Sequence, residues 1–115
     1  VLAMEALGAK PGRIKAVIGP CIAQKSYQVE VDFLDQFLDS DPEFAQYFIN
    51  EDKGHMRFDL SGLIELMIKR SGIIFSESIG HDNFTATETL FSYRRTTLAG
   101  GSGYGRSISA IALRD

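Results

Sequence analysis

Two short stretches hold the residues best suited to chemistry: Phe91-Ser92-Tyr93-Arg94-Arg95 and, past a glycine-rich loop, Tyr104-Gly105-Arg106. Arginine is a permanently charged planar fork that grips carboxylate or phosphate. On a strand, adjacent residues point to opposite faces. Arg94 and Arg95 could then divide the work, one in a structural pair and the other facing a ligand. The structural alternative pairs these arginines with Asp59, Glu77 or Asp82. A tyrosine such as Tyr93 beside an arginine can also stack on it. Phe91 and Tyr93 would share one strand face, as core residues or as a platform for a flat ring.

Cys21 follows a Gly19-Pro20 turn. It would be nucleophilic only if a neighbouring base or cation lowered its pKa, and free cysteine is also a common buried residue. His55 and His81 lie far apart, without the close spacing of a metal pair. A zinc site needs three or four ligands, and the sequence places no third beside them, so no residue here is assigned to metal. His55, next to Gly54, reads as a solvated loop residue. Gly101, Gly103 and Gly105 suggest a phosphate-cradling loop. Such loops precede a helix, whereas a strand-like run follows here, so a hairpin tip is the competing reading.

Gly19-Pro20-Cys21-Ile22, Tyr27-Gln28-Val29, Phe58-Asp59-Leu60, Phe91 to Arg95 and Gly105-Arg106 occur in an order that resembles the C-terminal half of the YfiH-like laccase-domain family. The resemblance runs over essentially the whole chain, and Phe91 to Arg95 is its most specific element. It implies that the chain is the back half of a larger α/β sandwich domain. It also implies membership of a zinc-dependent purine nucleoside phosphorylase type, acting on adenosine or inosine and once described as a polyphenol oxidase. Arg94, Arg95, Arg106 and Tyr93 become candidate substrate- or phosphate-binding residues, and Cys21 and Tyr27 candidate site-lining residues. The metal, zinc or copper, would come from motifs of the preceding half that are absent here. Copper chemistry gets no support from this segment, which has no methionine-histidine-cysteine cluster. The alternative is a non-catalytic half that needs the missing N-terminal half, or another copy of the chain, as partner.

With 115 residues, 44% hydrophobic, the chain reads as one domain or part of one. A net charge of −3 argues against bulk capture of nucleic acid. Its basic residues nevertheless gather late, at Arg94, Arg95, Arg106 and Arg114, which permits a local anion site. The single cysteine excludes an intrachain disulfide and suits a reducing, cytoplasmic setting. No apolar run reaches membrane-spanning length.

The elements that must position these residues are mixed. Residues 1–7 read as a helix tail stopped by Gly8, and 14–18 as a buried strand. Residues 31–38 carry apolar groups at helical spacing. Asp41-Pro42 restarts a helix that runs to about Phe48, followed by a polar loop over 50–55. Asp59 caps a helix over 60–70 that Gly72 ends, and 73–75 begins a strand. Residues 80–89 form a polar connection. Residues 90–93 and 107–113 read as strands around a glycine turn at 100–103. Helices and strands without strict alternation point to an α+β fold with a mixed sheet and packed helices.

Overall fold

The computed structural model describes residues 1–113. Its order is α1 (Leu2–Ala6), β1 (Lys15–Ile18), β2 (Gln28–Glu30), α2 (Val31–Leu38), β3 (Phe48–Asn50), β4 (His55–Phe58), α3 (Leu60–Arg70), β5 (Phe75–Ser78) and α4 (Tyr93–Leu98). β1 and β5 form a parallel two-stranded sheet, and β2, β4 and β3 an antiparallel three-stranded sheet in that order. The fold is therefore α+β with both kinds of pairing, as the sequence implies.

The main core lies under the antiparallel sheet. β4 alternates, with Met56 and Phe58 turned inward and His55 and Arg57 outward. Phe58, 1% exposed, stacks on Phe48 at 4.6 Å between ring centres. Val29 and Leu63 complete the buried group, and Phe33, Leu34 and Phe37 of α2 close over it. Tyr27 belongs to this aromatic cluster, 5.5 Å from the Phe58 ring.

The helix assignments at 31–38 and 60–70 match the structure, and Asp59 caps α3 by accepting from Gly62 N–H at 3.0 Å. A Cβ at Gly62 would meet that carboxylate at 2.5 Å and the Tyr47 ring at 3.0 Å, so a side chain there would make the cap shift. Asp41 caps the next segment as expected, but Pro42–Tyr47 winds as a 3-10 helix. The polar stretch at 50–55 is a hairpin turn between β3 and β4. Lys53 and Gly54 take left-handed backbone there, at φ 63° and 81°. His55 accordingly opens a strand and is half-buried; its Nε2 lies 3.1 Å from the Glu30 carboxylate.

Two strand expectations fail. Residues 90–93 do not form a strand, because Ser92 caps α4 and starts a helix at Tyr93. Residues 107–113 join no sheet and stay exposed. The glycine loop is not a hairpin tip either. Gly100 takes φ 77° just past α4, its N–H donates to Thr97 O, and Gly101 N–H donates to Thr96 O. That is the paired bonding of a glycine helix stop. Arg95 and Arg106 therefore do not face each other across paired strands. Arg114 lies outside the described residues.

Candidate functional site

The GPCI segment and the arginine-bearing segment, distant in sequence, are joined through a turn at 82–84. Cys21 pairs with Asp82 in an isolated parallel bridge. Cys21 N–H donates to His81 O at 3.2 Å, and Asn83 N–H donates to Cys21 O at 3.1 Å. The Asp82 carboxylate accepts from Ser26 Oγ at 2.6 Å, Phe84 N at 2.9 Å and Ala23 N at 3.2 Å. Burial works against the charge on Asp82, but these donors outweigh it and hold its pKa below the ordinary carboxylate value. Asp82 is thus engaged by loop donors and is not the ion-pair partner for arginine that the sequence suggested.

Arg95 completes the junction. Its guanidinium donates to three backbone carbonyls: Asn83 at 2.7 Å, Phe84 at 2.9 Å and Leu90 at 2.6 Å. A planar fork with several fixed donors can tie down a loop in this way, and a point-charge ammonium cannot. Arg94 reaches elsewhere, donating to Gln28 O of β2 at 2.8 Å. Neither arginine is paired with Asp59, Glu77 or Asp82 among the described residues. Both are spent on backbone acceptors.

Beside this junction lies an open cavity of about 360 Å³, lined by Pro20, Asn83, Leu90, Phe91, Tyr93 and the segment from Tyr104 to Ser107, with Ser109. That volume is at the small end for a ligand site. Tyr93 and Tyr104 stand 5.0 Å apart between ring centres at 58°, and Arg106 sits over the Tyr104 ring at 5.5 Å. Phe91 and Tyr93 are both exposed, so they are not the core residues one reading made them. The segment after α4 is pressed close to both motifs. A Cβ on Gly105 would meet the Phe91 ring at 2.4 Å, and one on Gly19 would meet Ser109 Oγ at 3.0 Å. Of the sequence candidates, Tyr93 and Arg106 come together here. Arg95 supports the wall through Asn83 and Leu90, Arg94 is tied to β2, and Tyr27 lies in the main core. Asn83 and Tyr104 were missed as individual residues. Tyr104 was legible in its Tyr-Gly-Arg context, but Asn83 had no local signal.

Cys21 lines a separate, smaller hollow of about 150 Å³ with Asp59, Ser61, His81 and Asp82. Burial pushes its thiol pKa up; a Ser61 hydrogen bond partly offsets this, and the nearby Asp59 and Asp82 carboxylates add to it. The thiol stays protonated near neutral pH and is a poor nucleophile there. Among the described residues no group of three or more His, Cys, Asp or Glu side chains could hold a metal ion. These residues do not fit a zinc or copper site.

The fold and cavity define an α+β segment whose motif residues converge on an aromatic-arginine cavity. A family model described as multi-copper polyphenol oxidoreductase laccase matches residues 1–114, and the chain belongs to that family, the YfiH-like laccase-domain proteins. Purine nucleoside phosphorylase RC0672 of Rickettsia conorii is 39% identical over 82 residues, spanning 70% of this chain and 34% of that protein. Purine nucleoside phosphorylase RP494 of Rickettsia prowazekii matches with the same figures. The chain spans about a third of the length of these relatives. Among solved structures, Neisseria meningitidis protein NMB0706 superposes with a TM-score of 0.75 at 30% identity, covering 90% of this chain and 41% of that one. Bacillus licheniformis hypothetical protein YfiH shares the fold, with a TM-score of 0.76 at 24% identity over 90% of this chain and 39% of that one.

Proposed function

We propose that this chain supplies a substrate-binding wall of a purine nucleoside phosphorylase-type transferase, with zinc bound by a part of the family domain that this chain does not span. The observation that carries the reading is the convergence of Pro20, Tyr93, Tyr104 and Arg106 on one open cavity. The names of the Rickettsia relatives supply the substrate class. In this reading the purine ring packs against the paired Tyr93 and Tyr104 side chains, and Arg106 holds phosphate. In phosphorolysis a phosphate oxygen bonds to ribose C1′ as the C1′–N9 bond breaks, and the base leaves with the electron pair and takes up a proton. A guanidinium placed at the phosphate fixes the nucleophile and balances its charge. The single cysteine suits a reducing cytoplasmic setting for such an enzyme. No helix among the described residues is long and apolar enough to cross a membrane.

The test is phosphate-dependent release of adenine from adenosine, with metal analysis of the same sample, on a protein carrying the complete family domain. Arg106→Lys keeps the charge and removes the fork. Loss of one charge-assisted contact predicts a rise of about tenfold in the KM for phosphate, with the melting temperature unchanged. Phosphate dependence identical to the wild type would count against this role for Arg106.

A second reading has its own observation. Leu2, Leu7, Ile74, Ile108 and Leu113 are each more than four-fifths exposed. A chain that leaves so much apolar surface open fits a structural half that acts only when covered by the rest of its domain or by a second copy.

A further inference from the structure

Pro20 and Asn83 both line the open cavity, although they lie far apart in sequence. Each is the direct neighbour of a bridged residue. Pro20 precedes Cys21, Asn83 follows Asp82, and Cys21 and Asp82 form the isolated parallel bridge. Gly19 and Pro20 separate that bridge from the β1–β5 ladder, which ends at Ile18 and Ser78. Pro20 has no N–H with which to extend the ladder. The side chain of Asp82 makes up for this. Its Oδ1 accepts from Ala23 N–H at 3.2 Å and from Phe84 N–H at 2.9 Å, and its Oδ2 accepts from Ser26 Oγ at 2.6 Å. Its carbonyl accepts from Ala86 N–H at 3.1 Å and closes the turn behind it. One carboxylate thus grips donors on both segments that carry the wall. No lysine or arginine among the described residues pairs with it. Asp82 faces the smaller Cys21 hollow and is not part of the cavity lining.

We infer that Asp82 is a positioning residue for the cavity: its carboxylate latches the Gly19-to-Ser26 segment to the 82–84 turn and so fixes where Pro20 and Asn83 stand in the wall. This rests on the cavity assignment made under the proposed function. Asp82 acts through its neighbours and touches no ligand. Displacing a binding wall by about 1 Å can cost up to about a hundredfold in rate. The place of the two acceptor oxygens therefore matters here, and the negative charge does not.

The experiment measures kcat and KM for phosphate-dependent release of adenine from adenosine by a protein carrying the complete family domain. Each variant is assayed well below its melting midpoint. Asp82→Asn removes the charge but keeps Oδ1 for Ala23 and Phe84, and its amide can donate to Ser26 Oγ. Asp82→Glu keeps the charge and carries the acceptors one methylene too far. Asp82→Ala removes the latch. The KM for adenosine should stay within about twofold of wild type in Asp82→Asn and rise about tenfold in Asp82→Glu and Asp82→Ala, with kcat falling less. A carboxylate that only stabilised the fold would lower the melting temperature and the active fraction, which reduces apparent kcat and leaves KM unmoved. Should Asp82→Ala fail to fold, the contrast between Asp82→Asn and Asp82→Glu decides. The reverse order, with Asp82→Glu like the wild type and Asp82→Asn impaired, would show that charge acts and not position, and the inference falls. It falls too if Tyr93→Ala raises the KM for adenosine while no Asp82 variant does, and the cavity assignment then stands. If the wild type releases no base in the presence of phosphate, the functional reading falls and the inference with it.

Discussion

Arg94 and Arg95 look interchangeable in sequence, yet they terminate on different parts of the fold. Arg95 joins three carbonyls of one loop, while Arg94 reaches a β2 carbonyl and keeps a buried Nε without a partner among the described residues. Replacing Arg95 by lysine leaves at least one of those carbonyls without its donor. Hydrogen bonds to charged groups contribute about 1.5–3 kcal/mol each, so a loss of roughly 2 kcal/mol is expected. Denaturant unfolding checks this, and a midpoint shift near zero would contradict the clamp. Cys21 gives a second prediction at this scale. Because its pKa is raised, the thiolate fraction at neutral pH is smaller than for a free cysteine. Alkylation by iodoacetamide should be slow at pH 7 and accelerate only as pH climbs past the ordinary thiol range. Fast labelling at pH 7 in the folded chain would show an activated thiol instead. Cys21→Ala should accordingly keep most of the turnover of a protein carrying the complete domain.

At the scale of elements, α4 is the informative case. Six residues are too few to hold a helix by propensity, and Thr96-Thr97 lower that propensity further. The helix stands because both ends are closed. Ser92, only 5% exposed, accepts from Arg95 N–H at 3.3 Å, and Gly100 supplies the left-handed stop. Gly100→Ala places a Cβ in that conformation, and a loss of about 1 kcal/mol is expected. Ser92→Ala removes the cap, for a loss of about 1 kcal/mol. Amide hydrogen exchange should show the effect first in residues 93–101. Uniform loss of protection across the chain would mean that α4 does not open as a local unit. Ser92 and Gly100 stand where a cap and a stop belong, but Leu90 to Tyr93, with Phe91 and Tyr93 alternating, read as a strand. Tertiary contacts of Arg95 settle the competition.

For the whole molecule, the parallel sheet sets the main expectation. Parallel pairs are normally buried on both faces, yet β1 and β5 stand as a two-stranded sheet with Val17 and Phe75 nearly half exposed. A groove of about 690 Å³ lies between α1 and residues 111–113, with Met4, Leu7, Ile14 and Leu113 in its lining. Open apolar area on this scale should draw a cover. The 115-residue chain on its own is expected to self-associate with rising concentration, or to bind a hydrophobic dye. Sedimentation from about 5 to 500 µM, a range spanning weak interfaces, checks this. A dye-silent monomer at every concentration, unfolding cooperatively, would contradict it.

Local order was largely legible in the residues themselves. Val31–Leu38 and Leu60–Arg70 carry apolar stripes at helical spacing, and Asp59, Gly72 and Gly8 are local signals that act within a few residues of themselves. The motif residues were legible too, as a set. What Arg94, Arg95 and Asp82 bind was not, because their partners sit far along the chain, and a long polar side chain can satisfy itself on any acceptor the fold brings near. The same holds for β3 and β4. His55–Phe58 alternates correctly for a strand, but only the pairing with β2 and Phe48–Asn50 distinguishes a strand from a polar loop. Asn83 is the extreme case. Nothing beside it in sequence marks it, and its unpartnered carboxamide exists only once Cys21, Arg95 and the cavity wall have been assembled around it, since burial and hydrogen-bond accounting are properties of the packed chain.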